Sequence, residues 1–397
     1  MPAPVVIVGA SMGGLRAAES LRRFGYSGEV VMIGDEPHAP YNRPPLSKEV
    51  LAADVSHEAV AFPLRAAVED VHLVLGHKAV AADVTAHTVS TDDGQVFPYS
   101  QLIVATGLRA KYADLPGGVK AGRFTIRTLD DAIGLRAAIT PGVNVVVSGA
   151  GFVGCETAAT VRKLGANVTI ITRSTPLSRI LGEEFGAEIQ RRQESQGVKF
   201  VVGQHVADVL GDDHVTGVLL DNGETIACDV LIDAVGSHPN TEWLADTGID
   251  LENGVHTDNQ LRALDAAGNV VPDVYAIGDI ARFPNSVFDD IGRRVEHWNI
   301  PTECAKHVGA AIAALHAGDA HPTTPFTPVP SFWSDQFDMH ILAFGLPVLG
   351  DRAELVAGSL DDDCVFEYYR DDQLVGVAGI GMRSVVQGYR AKFVPAA

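Results

Sequence analysis

Apolar residues in this chain come in short runs that close on glycine. Val5–Val8, Leu102–Val104, Val145–Val147, Val168–Ile171 and Val230–Val235 are almost unbroken, the pattern of strands buried on both faces. Leu102-Ile-Val-Ala-Thr-Gly107 stops at glycine, Val230–Val235 stops at Gly236, and Asp273-Val-Tyr-Ala-Ile-Gly-Asp279 closes on a Gly-Asp turn. Glu29–Ile33, Val71–Leu75 and a stretch near Ala79 are expected to be further strands. Helices are expected over Gly14–Phe24, Asp130–Ile139, Cys155–Leu164, Phe185–Gln196 and Thr302–Ala317. Asp93-Gly94, between Thr88–Thr91 and Val96–Tyr99, marks a hairpin, and Asp221-Asn-Gly223 marks another. The polar, Pro-rich segment His321–Pro330 predicts a linker. Beyond it, Met339–Phe344, Cys364–Tyr369 and Gln373–Val377 read as short strands of a small antiparallel sheet.

Two of the strand–turn–helix junctions share one pattern. Val5-Val-Ile-Val-Gly-Ala-Ser-Met-Gly-Gly14 recurs as Val145-Val-Val-Ser-Gly-Ala-Gly-Phe-Val-Gly154. In a dinucleotide fingerprint the first glycine permits a tight bend, the second lets backbone approach a pyrophosphate, and the third lets helix and strand pack closely. The helix N-terminus then offers free N–H groups to the phosphates. Gly149, Gly151 and Gly154 complete the second copy. The first copy has Gly9, Gly13 and Gly14, with Ser11 in the middle place. The Ser11 Cβ sets a phosphate further out or offers it a hydroxyl. Alone, the first copy fits an ordinary strand–turn–helix equally well. Two copies imply two nucleotides in one protein, with electrons moving between them.

The 397 residues allow two or three domains. Hydrophobic and charged contents of 46% and 20% are globular values, and 40 glycines suit many tight strand–helix turns. A net charge of −20 argues against nucleic-acid binding, which needs a basic footprint. No apolar run is long enough to suggest a membrane span. The N-terminus passes straight into a strand without a basic leader, so a cytoplasmic protein is expected. Cys155, Cys228, Cys304 and Cys364 form no CxxC and are expected to be small buried residues.

The motif order extends across nearly the whole chain. Arg43-Pro-Pro-Leu-Ser-Lys48, Ala105-Thr-Gly107, Ala276-Ile-Gly-Asp279, Glu296-His-Trp298 and Phe332-Trp-Ser-Asp-Gln336 accompany the two fingerprints. In this the chain resembles the FAD-dependent ferredoxin reductases of the putidaredoxin reductase and ring-hydroxylating dioxygenase type, within the glutathione-reductase structural family. The resemblance implies an α/β fold with two Rossmann-like domains, one for FAD and one for NAD(P), plus a small α+β C-terminal domain. The expected boundaries are 1–111 with 237–322 for FAD, 112–236 for NAD(P)H, and 323–397 for the last domain. It also implies a small iron–sulfur ferredoxin as partner, feeding an oxygenase. Rubredoxin, a quinone, monodehydroascorbate or oxygen are alternative acceptors, and a redox scaffold resembling apoptosis-inducing factor is a non-enzymatic alternative. A monomer or weak homodimer is expected. Met382-Arg383 departs from the Asn-Arg more common in that group, and the short remaining tail puts contacts there in doubt.

The resemblance places FAD on the first fingerprint. Asp35 ends the second strand, where a carboxylate accepts hydrogen bonds from an adenosine ribose, and Glu36 is its substitute. Lys48 is expected beside the flavin, where a cation favours the reduced, anionic form. Arg43 is expected on the pyrophosphate side, held by the stiffened Pro-Pro loop. Ala79 and Arg127 match positions near the adenine and the ring. Asp279 is expected to open a helix and accept a ribityl hydroxyl, and Trp298 to meet the flavin through its backbone. Gly236 closes a strand beside the second nucleotide. Glu156 is expected in the first turn of its helix near the nicotinamide, paired with Lys48. Trp333 is the electron-transfer candidate on the flavin's outer side.

Cofactor choice turns on the end of Val168–Ile171. An NAD site usually has Asp or Glu there, bonded to the 2′-hydroxyl. Here Thr172 takes that place, Arg173 follows, and Arg179 stands near enough to assist. A guanidinium binds a 2′-phosphate bidentately, so NADPH or dual use is expected; an ordinary surface arginine would leave NADH preferred. Small ferredoxins are commonly acidic, as is this chain, so docking calls for a local basic sector. Arg293, Arg294, Lys306, Arg352, Arg370, Arg383, Arg390 and Lys392 are its candidates.

Overall fold

The structure is a computed structural model describing residues 3–53 and 55–394. Met1, Pro2 and the last residues to Ala397, on which the expectations about the two ends rest, lie outside the described residues. The first sheet begins with β1 (Val5–Val8), β2 (Val30–Gly34), β3 (His72–Leu75) and β4 (Gln101–Val104). Helix α1 (Met12–Arg23) follows β1 directly. A second sheet is then inserted: β5 (Arg123–Phe124), β6 (Asn144–Ser148), β7 (Asn167–Thr172), β8 (Lys199–Val202) and β9 (Val230–Asp233). Its helices are α2 (Leu129–Ala138), α3 (Phe152–Lys163) and α4 (Glu183–Ser195). The chain returns to the first sheet with β10 (Arg262–Leu264) and β11 (Val270–Ala276) and continues into α5 (Asn299–His316). A third large sheet follows, β12 (Ser331–Gln336), β13 (Met339–Gly345), β14 (Arg352–Gly358), β15 (Cys364–Arg370) and β16 (Gln373–Ile380), with a short helix over Arg383–Gly388 after it.

The first sheet has the order β10-β11-β4-β1-β2-β3, parallel apart from the β10–β11 pair. The second has the order β8-β7-β6-β9-β5 and is parallel throughout. Both rules follow from composition. β1 is Val-Val-Ile-Val with at most 3% exposure, so it needs apolar cover on both faces, and parallel crossovers through helices supply it. Register in the two sheets matches: Val5 lies beside Val30 and Gln101, and Val145 beside Val168 and Val230.

The third sheet is antiparallel, in the order β12-β13-β16-β15-β14. β15 and β16 are buried, while the edge strand β14 is exposed along nearly its whole length. That exposure is why Arg-Ala-Glu-Leu-Val-Ala-Gly gives no strand signal in the sequence. Thr128 and Asp131 form a capping box that starts α2 one residue before the expected Asp130. One expectation fails here. Asp279 opens no α-helix; Gly278–Ile280 is a single tight turn, and the chain continues extended over Ala281–Phe283. Helix α5 also starts earlier than Thr302, with Trp298 at its N-cap.

Candidate functional site

In each parallel sheet the strand order reverses beside the first strand of the unit. β1 has β2 on one side and β4 on the other; β6 has β7 and β9. Connections leave such a point in opposite directions and open a crevice at the carboxyl ends of the strands. Both glycine turns lie there. Gly9 has φ +121° and Gly149 φ +103°, and a Cβ on either would overlap the carbonyl oxygen of Ala105 or Ala234 on the neighbouring strand. Gly14 and Gly154 pack so closely that a Cβ would overlap the Gly9 and Gly149 oxygens. Gly151 differs, because nothing stands within 4 Å of the Cβ it lacks. The packing leaves that side open, and room is what a phosphate needs.

Ser11 and Gly151 are the N-caps of α1 and α3, and neither caps its helix with a side chain. Neither first turn holds an acidic residue. The leading N–H groups and the positive ends of both helix dipoles are therefore free to face an anion. Uncapped helix ends behind glycine turns fit two pyrophosphates, one at Gly9–Gly14 and one at Gly149–Gly154.

One cleft gathers much of the expected site. Ser11, Gly13, Arg43, Lys48, Arg127, Glu156, Asp279, Trp298 and Trp333 all line it. Pro44 and Pro45 fold the Arg43–Lys48 loop into a tight turn that buries Leu46 and Ser47. Arg43 reaches back to the first glycine turn, donating to Ser11 Oγ at 3.3 Å. It also donates to Glu36 at 2.5 Å, to the Tyr41 hydroxyl at 3.2 Å and to the Arg127 carbonyl at 2.9 Å. Glu36 accepts from the Tyr41 hydroxyl as well, at 2.5 Å. Its carboxylate is thus engaged inward, whereas Asp35 is exposed at the end of β2. Burial pushes the Tyr41 hydroxyl far above its ordinary value, so it serves as a neutral donor.

Lys48 and Glu156 meet at 2.6 Å, both side chains largely buried. Glu156 stands in the second turn of α3, not the first, because the helix begins at Phe152. Ser47 donates to the same carboxylate oxygen at 2.7 Å and Ser334 to the other at 2.7 Å. Arg127 pairs with Asp279 at 3.1 Å and donates to the Leu108 carbonyl at 3.2 Å. Trp298 and Trp333 are each 39% exposed and meet edge to face at 5.5 Å, so neither is a core residue. Trp298 Nε1 donates to Asn42 at 3.2 Å.

His297, beside Trp298, lines the cleft and packs against Phe332 at 5.0 Å. Burial pushes its imidazole down to about 4, and its Nδ1 has no partner among the described residues. His297, Ser47 and Ser334 are not among the expected site residues, although each lies inside one of the motifs Glu296–Trp298, Arg43–Lys48 and Phe332–Gln336. Tyr41 and Gln193 left no such signal.

Other expected residues stand away from the cleft. Ala79 is 6% exposed and belongs to the core of the first unit. Gly236 follows β9 in an exposed turn at φ +107°. Thr172 is buried with its hydroxyl donated to the Ser174 carbonyl at 2.8 Å, while Arg173 and Arg179 are exposed. The expected basic sector is largely neutralised. Asp289 holds Arg293 and Arg370, Glu296 holds Arg294, Glu303 holds Lys306, Glu354 and Asp372 hold Arg352, and Glu367 holds Lys392. Arg383 and Arg390 are exposed with no carboxylate partner among the described residues. All four cysteines are buried and unpaired, and burial pushes the thiols of Cys155, Cys228 and Cys304 up to about 12.

Two glycine turns of one kind, the first lining the cleft and the second leading into the helix whose Phe152, Val153 and Glu156 line it, define a class of protein that holds two dinucleotides. The chain belongs to the pyridine nucleotide-disulphide oxidoreductase family, whose pattern matches residues 3–304; residues 331–392 match the reductase C-terminal domain. Members of this family use FAD and NAD(P)H. The chain is 33% identical over 384 residues to the ferredoxin reductase component of chlorobenzene dioxygenase from Cupriavidus sp. (strain PS12), covering 96% of this chain and 90% of that one. Among solved structures, the ferredoxin reductase for the CYP199A2 system from Rhodopseudomonas palustris superposes with a TM-score of 0.89 at 30% identity, covering 98% of this chain and 93% of that one. The reductase in the covalent putidaredoxin reductase–putidaredoxin complex also gives 0.89, at 27% identity and the same coverage. Among the described residues, no helix is long and apolar enough to cross a membrane.

Proposed function

We propose that this chain is an NAD(P)H:ferredoxin oxidoreductase, passing electrons through FAD to a small iron–sulfur ferredoxin that feeds an oxygenase. The observation that supports it most is one cleft in which the first glycine turn meets the helix that follows the second, bridged by Lys48 and Glu156. In this reading residues 1–111 with 237–322 hold FAD, 112–236 hold the nicotinamide nucleotide, and 323–397 form the acceptor side. Bound FAD supplies the conversion of a two-electron hydride donor into a one-electron source.

The chain's own residues bind, orient and tune. The N-termini of α1 and α3 bind the two pyrophosphates. Lys48 sets a positive charge at the cleft and so favours the reduced, anionic ring. Glu156 holds that ammonium in place and faces the nicotinamide side. Asp279, oriented by Arg127, offers an oxygen to the ribityl chain. Asp35 is free to accept from the adenosine ribose of FAD. Trp298 and Trp333 cover the cleft mouth and exclude water, with Trp333 on the route to the acceptor.

The nucleotide is NADPH, or NADPH and NADH both. Thr172 offers no carboxylate to a 2′-hydroxyl, and exposed Arg173 and Arg179 can pair with a 2′-phosphate. The deciding experiment is anaerobic titration of the yellow protein with NADH and NADPH, followed by a panel of acceptors. Bleaching by a nucleotide, and cytochrome c reduction only when ferredoxin is added, are expected. A colourless protein that takes up no FAD, or one that neither nucleotide bleaches, would overturn the reading. Direct reduction of a quinone or monodehydroascorbate would reassign the acceptor.

A further inference from the structure

A buried line of hydrogen bonds joins the cleft to the third sheet. Gln193 Nε2 on α4 donates to Gln336 Oε1 at 2.7 Å, and Gln336 Nε2 donates to Ser334 Oγ at 3.0 Å. Ser334 Oγ then donates to Glu156 Oε1 at 2.7 Å. On the other oxygen of Glu156, Lys48 Nζ and Ser47 Oγ donate at 2.6 and 2.7 Å. Gln193, Ser334 and Gln336 are 0% exposed and Glu156 is 4% exposed. Each donor in the line points toward the carboxylate.

Packing on its own does not call for the polar residues on β12. Alternation along the strand buries Phe332, Ser334 and Gln336 and exposes Trp333. Phe332 packs on Phe152 of α3 at 4.7 Å, so apolar residues at 334 and 336 would suit the same interface. Buried polar side chains carry a desolvation cost that such residues avoid. The line is also incompletely matched, since Gln193 Oε1 has no partner among the described residues. What the arrangement does accomplish is to grip Glu156 from the side opposite Lys48.

We infer that Ser334, supported by Gln336 and Gln193, is a positioning residue for Lys48. With Oε1 of Glu156 occupied by Ser334, the ammonium is met at 2.6 Å by Oε2 alone, and the second oxygen is kept from it. The charge at the cleft is then set in part by β12, the strand whose next residue is the exposed Trp333. This inference rests on the proposed FAD cleft.

The test is the midpoint potential and visible spectrum of the FAD-loaded protein. Ser334→Ala frees Oε1, and the carboxylate turns its charge onto Lys48, so the reduced anionic ring loses stabilisation. The expected result is a lower potential, a threefold to tenfold shift in the oxidised-to-reduced ratio, or ~15–30 mV for a two-electron couple. The absorption band should move with it, and Ser334→Thr, which keeps the hydroxyl, should restore both. Gln336→Leu, one bond further away, should give a smaller shift of the same sign, and it serves as the reading if Ser334→Ala does not fold. A normal potential and spectrum in these variants, with only a lower unfolding temperature, would make the line mere structural support and overturn the inference. Wild-type protein that takes up no flavin would instead overturn the functional reading on which it stands.

Discussion

Arg173 gives the sharpest test of nucleotide choice. It stands exposed one residue beyond β7, next to a Thr172 whose hydroxyl is tied to the Ser174 carbonyl at 2.8 Å. Among the described residues it takes part in no ion pair, so its guanidinium reaches a ligand without first breaking a contact. A charge-assisted hydrogen bond contributes ~1.5–3 kcal/mol, and exposure to solvent places this one at the low end. Arg173→Ala should therefore raise the NADPH concentration needed for half-maximal flavin bleaching about tenfold, with NADH changed little. Arg173→Glu adds repulsion of a 2′-phosphate and returns an acceptor for a 2′-hydroxyl. It should swing the NADPH-to-NADH ratio of kcat/KM on the order of 100-fold. The assay is anaerobic stopped-flow bleaching with each nucleotide at several salt concentrations. The wild-type preference should shrink with salt, because the screening length falls from ~10 Å at 0.1 M to ~3 Å at 1 M. A ratio that neither substitution moves, or one indifferent to salt, would refute the assignment of Arg173 to the 2′-position.

Three further outcomes follow from the geometry. Lys48→Met leaves Glu156 buried with hydroxyl donors only, which should destabilise the apoprotein by ~3–5 kcal/mol in urea unfolding; Lys48→Met with Glu156→Gln should recover stability but not the bleaching rate. If the double variant recovers the rate as well, the pair is structural alone. For His297 the sign runs toward acid lability. Its imidazole is held down to about 4 when folded and titrates near 6.5 when unfolded, so the unfolded chain takes up the extra proton and stability falls between these pH values, by ~3 kcal/mol. The unfolding free energy of His297→Gln relative to wild type should rise as pH drops from 7 to 4; a pH-independent difference would refute this. Gly149→Ala forces a side chain into φ +103° against the Ala234 oxygen, a strain of ~1–3 kcal/mol at the second cradle. The variant should stay yellow yet bind the nicotinamide nucleotide at least tenfold more weakly, and loss of FAD as well would show that the cradles are not independent.

The parts of the fold legible in the sequence are those whose chemistry is local. Val5–Val8 and Asn144–Ser148 announce themselves because a strand buried on both faces has no choice but an apolar run. The glycine turns are legible because three backbone constraints at fixed spacing leave glycine little competition. β14 is not legible, because an exposed edge strand places no demand on its side chains. Asp279 misleads for the opposite reason. A Gly-Asp pair after a strand is a common helix start, but here it serves a single turn whose carboxylate is taken by Arg127. The Gln193–Gln336 contact and the Arg370–Asp289 pair join residues 143 and 81 positions apart that only packing brings together, whereas Arg293–Asp289 and Lys306–Glu303 are local pairs on the chain.

The fate of the thiols bears on how electrons leave. Cys155 precedes Glu156 on α3, yet it points into the core and is 0% exposed, and burial pushes its thiol up to about 12. No cysteine lines the cleft. A thiol that is neither ionised nor in reach of the ring is a poor relay, even in a family named for disulphides. At the cleft mouth stand Trp298 and Trp333 instead, edge to face and half open to solvent. On the proposed function, with most cations of the expected basic sector held by carboxylates, an acidic acceptor gains little from long-range attraction and is oriented by contact. On the proposed function, an exposed aromatic pair supplies that contact with little loss of side-chain freedom, and β12 joins it to the carboxylate that positions Lys48. On that reading the strand that meets the acceptor is also the strand that supports the donor side, which is a reason for the third sheet to be packed against α3 through hydrogen bonds as well as apolar surface.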